Sequence, residues 1–186
     1  MPQTLFDLAE GIRHCTACPL WKNRELAIPG EGSSKAKIMF IGEAPGTEED
    51  RHGLPFVGRS GKYLVEMLTL ANLHPEDVFT TSCVKCHPPK NRQPTSKELS
   101  TCKELWLVKQ IELINPEIIV LLGKVALKSL LGDKDLQKLH GKIVTKDGRK
   151  YFVTYHPSAG MRFPNIGLLM KKDFMKLSLL INSFPL

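Results

Sequence analysis

The sequence has no apolar run long enough to cross a membrane. Its longest, Ile118 to Leu122, spans five residues, against the ~20 that a spanning helix needs. It has no secretory leader pattern: Met1 to His14 carries Asp7 and Glu10 and lacks a basic start followed by an apolar stretch. It also has no internal repeat, low-complexity tract or linker, so a single domain over residues 1–186 is expected. Two nucleotide fingerprints are missing. No G-x-G-x-x-G follows the first apolar strand. Read back from Gly61-Lys62, a P-loop would need glycine where Phe56 stands and Ser or Thr where Tyr63 stands. What remains is a chain with 42% hydrophobic and 24% charged residues, the balance of a soluble globular protein large enough to bury a core without disulfides. A cytoplasmic location is expected.

Charge and cysteine content narrow the class. Twenty-six Lys and Arg against 19 Asp and Glu leave a net charge of +7. That balance suits a polyanion, most commonly nucleic acid, although a generic basic protein would share it. The five cysteines are Cys15, Cys18, Cys83, Cys86 and Cys102. In a chain without a secretory leader, metal or redox chemistry is the default over disulfides. Cys15/Cys18 and Cys83/Cys86 both show C-x-x-C spacing, which brings two sulfurs to one ion or cluster. Buried free thiols are the bland alternative.

Periodicity gives an alternating order. Residues 4–13 have helical spacing, and 19–36 read as loop. Lys37 to Gly42 is a buried strand, Glu43 to Lys62 an irregular Gly-rich stretch, Tyr63 to Asn72 a helix and Val78 to Cys83 a second strand. His87 to Pro94 is too proline-rich for regular structure. Thr95 with Glu98 has capping-box spacing and opens a helix running to about Ile114, which Pro116 stops. Ile118 to Leu122 is the third strand, followed by a helix to about Leu131. Ile143 to Thr145 and Tyr151 to Tyr155 form a hairpin around Asp147-Gly148. His156 to Pro164 is a loop, and Asn165 to about Asn182 is the closing helix. Continuous apolar strands alternating with helices indicate a parallel sheet covered on both faces. Ligands of such sheets bind beyond the carboxyl ends of the strands, where Gly42 to Gly46, Ser82 to Pro89 and His156 to Arg162 fall.

Each of these segments has a chemical reading and a plain one. Gly42-Glu-Ala-Pro-Gly46 lets a ligand approach the backbone, or is only a tight strand-to-helix turn. Phe56, between Pro55 and Val57 in a loop, offers a platform for a flat base. Glu48-Glu49-Asp50 is either a solvated acidic turn or a source of one catalytic carboxylate, since acids beside a nucleic acid backbone cost affinity. Lys85, Lys90 and Arg92 make a basic loop suited to phosphate. His156 ends a strand opposite the Gly loop, where it either faces the cleft or is structural. Met161 and Arg162 form a wedge suited to a groove.

Together these residues carry a close resemblance. Gly42-Glu-Ala-Pro-Gly46, Glu49-Asp50, Gly53-Leu-Pro-Phe-Val-Gly58 and Ser60-Gly61 resemble the first motif of family 4 uracil-DNA glycosylases, the iron–sulfur branch of the uracil-DNA glycosylase superfamily. Val84-Lys85-Cys86-His-Pro-Pro89, Asn91-Arg92, Pro94 and Glu98 continue the match. Cys102, Pro116, Leu122-Gly123 and His156-Pro157-Ser158 follow in order, so the likeness runs from Cys15 past His156.

The resemblance implies a three-layer α/β/α sandwich with a central four-stranded parallel sheet. It implies a [4Fe–4S] cluster on Cys15, Cys18, Cys86 and Cys102, with Cys83 a spare buried thiol; spacing alone leaves zinc equally open. The expected activity is monofunctional excision of uracil, or another deaminated base, from DNA as the first step of base excision repair. No lysine nucleophile is suggested, so no strand incision is expected. Phe56 would stack on a flipped base, while Gly42, Glu43, Ala44, Ser82 and His156 meet its edge. His156 would stabilise the departing base anion. Ala44 stands where other branches position the water with Asp or Asn, leaving Glu43 or Glu49 for that task, with Glu43 alternatively shaping the loop. Lys85, Arg92 and Arg162 would bind phosphates, and Met161 with Arg162 would fill the gap in the duplex. Ser82 departs from the family's usual Asn, which puts base selectivity in question. A monomer acting on DNA is expected. A catalytically weak iron–sulfur protein that binds DNA damage, and a four-cysteine zinc module that binds nucleic acid, are the alternatives.

Overall fold

The computed structural model describes residues 4–182. The remaining residues of the expected domain, 1–3 and 183–186, lie outside the described residues. Strand β1 is Glu31–Gly32, β2 Ile38–Gly42, β3 Phe79–Ser82, β4 Ile118–Leu122, β5 Lys142–Lys146 and β6 Arg149–Thr154. They form one sheet in the order β1-β3-β2-β4-β6-β5. The four middle strands are parallel, as the sequence predicts, and β1 and β5 extend the sheet as antiparallel edges. The β5–β6 hairpin turns at Asp147 and Gly148 as expected. The two residues of β1 sit within the stretch read as loop, too short to show a strand period.

Helix α1 is Leu5–Arg13, α2 Thr47–His52, α3 Arg59–Leu70, α4 Ser96–Cys102, α5 Val108–Ile114, α6 Lys124–Leu131, α7 Leu136–Leu139, α8 Pro157–Arg162 and α9 Pro164–Asn182. Alternation along the strands separates two cores. Met39, Ile41, Ile119 and Leu121 pack with Leu107, Ile111 and Leu127 on one face. Ile38, Phe40, Val120 and Leu122 pack with Leu64, Met67, Met170, Phe174 and Leu177 on the other. Strands buried on both faces read as unbroken apolar runs for this reason. Among the described residues, no helix is long and apolar enough to cross a membrane.

Three segments depart from the sequence reading. Glu43 to Lys62 is not irregular: it contains α2 and the first turn of α3, and six residues of α2 are too few to display a period. The helix expected from Thr95 to Ile114 exists, with its capping box at Thr95 and Glu98, but it widens to π geometry at Lys103–Leu107 directly after Cys102. Such widenings often mark functional sites. The loop expected from His156 to Pro164 contains α8, whose N-cap is His156 itself. Histidine is an unusual cap, so the capping pattern is hard to recognise in the sequence.

The chain passes from β2 to β3 on one side and then to β4 on the other, so the strand order reverses at β2. A crevice opens at such a switch point, outside the carboxyl ends of the strands. Gly42 of β2 and Ser82 of β3 are register partners at that end.

Candidate active site

A cleft of about 350 Å³ occupies this crevice. Glu43, Ala44, Glu49, Phe56, Ser82, Arg92, His156 and Arg162, all predicted from the sequence, line it together. Gly42 lies behind the Phe56 ring, where a methyl group would come within 2.8 Å of Cζ. Its missing side chain lets an aromatic ring lie against the end of β2. Phe56 has φ 54, a left-handed conformation that is uncommon for a bulky residue and costs of order 1–3 kcal/mol when imposed by its surroundings.

His156 has a defined protonation pattern. Its Nδ1 accepts the Ser158 backbone N–H at 3.2 Å and lies 2.8 Å from the Ser158 hydroxyl. A backbone N–H can only donate, so Nδ1 carries the lone pair and the neutral ring bears its proton on Nε2. Desolvation pushes the imidazole pKa down to about 4, against the opposing pull of the Glu49 charge. The site thus holds a neutral histidine with an N–H donor.

The acidic run splits by role. Glu48 is exposed, whereas Glu49 and Asp50 are buried. Glu49 accepts the backbone N–H of Gly46 at 3.1 Å and of Gly58 at 2.8 Å, bracing the first loop against the start of α3. Asp50 accepts the N–H of Glu25 and of Leu26. The Glu43 backbone carbonyl accepts the Val84 N–H at 3.3 Å, its carboxyl group makes no hydrogen bond among the described residues, and burial raises its pKa.

Of the four residues predicted to hold DNA, three lie at the surface. Met161 and Arg162 are exposed on α8 and line a second concavity of about 540 Å³ that shares Glu49, Ser60, Asn91 and Ser158 with the first. Arg92 reaches the cleft, but its guanidinium forks onto the buried Glu98 carboxylate at 2.7 and 2.8 Å. That pair holds Glu98 below its usual range. Lys85 requires a correction: it is 1% exposed and cannot meet a phosphate. Its Nζ turns inward to Thr81 Oγ1 at 2.5 Å and the Ser82 carbonyl at 2.9 Å. A lysine flanked by strand-end cysteines reads as basic loop in the sequence, but the chain there folds back into the core.

Cys15, Cys18, Cys86 and Cys102 line one small concavity where the turn after α1, the segment after β3 and the end of α4 converge. Cys83 is elsewhere, in the core beside Met39 and Leu107. Trp106 Nε1 donates to Cys15 Sγ at 3.2 Å and Arg24 donates to Cys86 Sγ at 3.0 Å. Burial pushes the Cys102 thiol up to about 12, opposed by Lys85. Burial likewise raises Cys18 and Cys86, with Arg24 opposing it at both; thiolate is the form that binds metal.

Residues 29–178 match the Uracil DNA glycosylase superfamily. The chain belongs to the uracil-DNA glycosylase superfamily.

Within this superfamily it is 42% identical to a "Type-4 uracil-DNA glycosylase" of Saccharolobus solfataricus, over 96% of this chain and 87% of that protein. A second "Type-4 uracil-DNA glycosylase", from Thermotoga maritima, is 43% identical over 83% of this chain and 82% of that protein. A third, from Archaeoglobus fulgidus, is 40% identical over 94% of this chain and 92% of that protein. Sequence reasoning assigned no role to Ser158, Asn91 or Ser60, although they stand in the motifs that carry the resemblance. It also missed Trp106 and Arg24. Their sulfur partners lie 91 and 62 residues away, and no local spacing announces such pairs.

Proposed function

We propose that this chain is a monofunctional uracil-DNA glycosylase, a single domain that hydrolyses the N-glycosidic bond of uracil in DNA and leaves an abasic site for repair. The observation that carries this reading is the neutral His156, a fixed N–H donor in a cleft faced by an aromatic ring. The target base leaves the stack to enter the cleft. Phe56 stacks on its face. Backbone groups from Gly42 to Ala44, with Ser82, meet its edge.

Bond cleavage leaves negative charge on the base and positive charge on the sugar. A donor already oriented, in a site with little water, stabilises such a charge without reorganising. The Nε2–H of His156 does this for a base oxygen. A neutral donor is apt here because an imidazolium would have to be desolvated first. Glu49 orients the attacking water. Both its oxygens already accept backbone N–H groups, which fix the carboxylate, and each keeps a lone pair for water. Its charge also favours the sugar cation. Glu43, with its raised pKa, suits a loop-shaping role better. Met161 and Arg162 occupy the place the flipped nucleotide leaves. A damage-binding protein without catalysis is not favoured, since the cleft retains donor, platform and carboxylate.

Cys15, Cys18, Cys86 and Cys102 fit a [4Fe–4S] cluster. All four line one concavity, and two accept N–H···S hydrogen bonds. Among the described residues, no three Cys, His, Asp or Glu side chains converge closely enough for one metal ion. Tetrahedral zinc needs its sulfurs about 3.8 Å apart, from Zn–S bonds of about 2.3 Å. A cluster gives each sulfur its own iron and so accepts wider spacing. The cluster's contribution is to tie three segments together. The test is single-turnover excision from a uracil-containing oligonucleotide, with thymine, xanthine and hypoxanthine as controls.

A further inference from the structure

Lys85 is a buried cation that the catalytic reading leaves unused. It is among the largest fully buried side chains. A charge removed from water is costly unless it is paired and hydrogen-bonded. Its hydrogen bonds go to neutral groups, the Ser82 carbonyl and the Thr81 hydroxyl. The side chain also lines the four-cysteine concavity.

The backbone of the same residue makes the same connection. Its carbonyl accepts the N–H of Ile28 at 2.8 Å, and Ile28 lines the base cleft. Thr81, held by the ammonium, donates in turn to the Pro29 carbonyl at 2.9 Å. One residue therefore touches the end of β3 where Ser82 faces the cleft, a wall of that cleft, and the cysteine centre.

We infer that Lys85 is a positioning residue: from the wall of the cysteine centre, its side-chain nitrogen clamps the Ser82 carbonyl and holds the base-reading end of β3 in place. This rests on the uracil reading above and extends it. The centre and the base site, on opposite sides of one short segment, are then coupled through a residue that never touches the base.

Lys85→Met keeps the length and apolar stem but removes every donor. Lys85→Gln keeps a neutral donor for the Ser82 carbonyl. Both are compared, as purified, with the unchanged protein. The readouts are iron per chain, visible absorption, melting temperature, and single-turnover excision of uracil and hypoxanthine at saturating DNA. At equal iron and equal DNA affinity, Lys85→Met should slow uracil release by about tenfold or more, the usual worth of a hydrogen bond from a charged group. Lys85→Gln should fall between, and the uracil-to-hypoxanthine ratio should shift. Parental rate and ratio in folded, iron-containing Lys85→Met would overturn the inference. So would a rate that falls only in proportion to iron lost, because Lys85 would then merely support the centre. If Lys85→Met does not fold, Lys85→Gln decides: slower at equal iron supports the coupling, and an equal rate overturns it. An unchanged protein that releases no uracil contradicts the proposed function, and the Lys85 role falls with it.

Discussion

Gly61 lies directly beneath the backbone of Phe56: a methyl group at 61 would stand 1.6 Å from the Phe56 carbonyl oxygen and 2.7 Å from its Cα. The first turn of α3 thus clamps the loop that carries the aromatic ring, while Gly42 makes room for the ring on the other side. The left-handed backbone of Phe56 is held from two directions.

Two substitutions separate ring from clamp. Phe56→Ala should weaken base engagement by about 1–3 kcal/mol, the worth of stacking one base, with the melting temperature little changed. Gly61→Ala leaves the ring in the sequence but displaces its loop, so excision should fall at least as far. Thermal melts beside single-turnover excision read both. An unfolded Phe56→Ala would make the residue core, and a fully active Gly61→Ala would show the loop to be free to move.

His156 should stay neutral across the working pH range. With a pKa near 4 in the folded protein, against an ordinary 6.5, its protonation cannot lower the rate between pH 8 and 5. The unfolded chain binds a proton there that the folded chain refuses. Stability from this group is therefore full above about pH 6.5 and drains away as the pH falls toward 4. Imidazole NMR should show the Nε2–H tautomer and a titration near pH 4. A midpoint near 6.5 would contradict the neutral-donor account.

Ser82 should set the range of bases. A single hydroxyl donates or accepts as required, whereas the family's usual Asn presents one fixed donor and one acceptor. We expect weaker uracil excision than in typical family members and measurable action on at least one other deaminated base. Ser82→Asn should raise uracil excision and narrow the range, because a mismatched edge leaves a buried polar group unpaired at about 1–3 kcal/mol. An Asn variant no better on uracil and no narrower would show that Ser82 does not read the base.

The parallel sheet and the cleft residues were legible because their signals are local. Ile118 to Leu122 is apolar at every position because both faces of β4 are covered, and Gly42, Ser82 and His156 stand just where such strands end. Lys85 reads as basic loop because Lys90 and Arg92 follow it, but those two are exposed while burial turns the Lys85 ammonium back onto Thr81 and the Ser82 carbonyl, and the spacing does not display burial. Glu49 and Asp50 differ from Glu48 only through burial, which an acidic run does not display. The two short helices α2 and α8 rest on Gly46 and His156 as N-caps and are too short to carry a period.

The cysteines should fall into two classes. Replacing Cys15, Cys18, Cys86 or Cys102 by Ala should bleach the protein and lower its melting temperature, since the three segments they join lose their tie. Cys83→Ala should keep its colour, its thiol being packed in the core. Iron analysis and visible spectra check this. A Cys83 variant without iron beside a Cys86 variant that retains it would reverse the ligand assignment.

The central claim is tested most directly by mixing the purified protein in excess with a duplex carrying one uracil and following the products with and without alkali. The account predicts release of free uracil and an abasic strand that breaks only after alkali, with release strongly reduced in His156→Ala. Intact uracil after prolonged incubation, or strand cleavage without alkali, would contradict it.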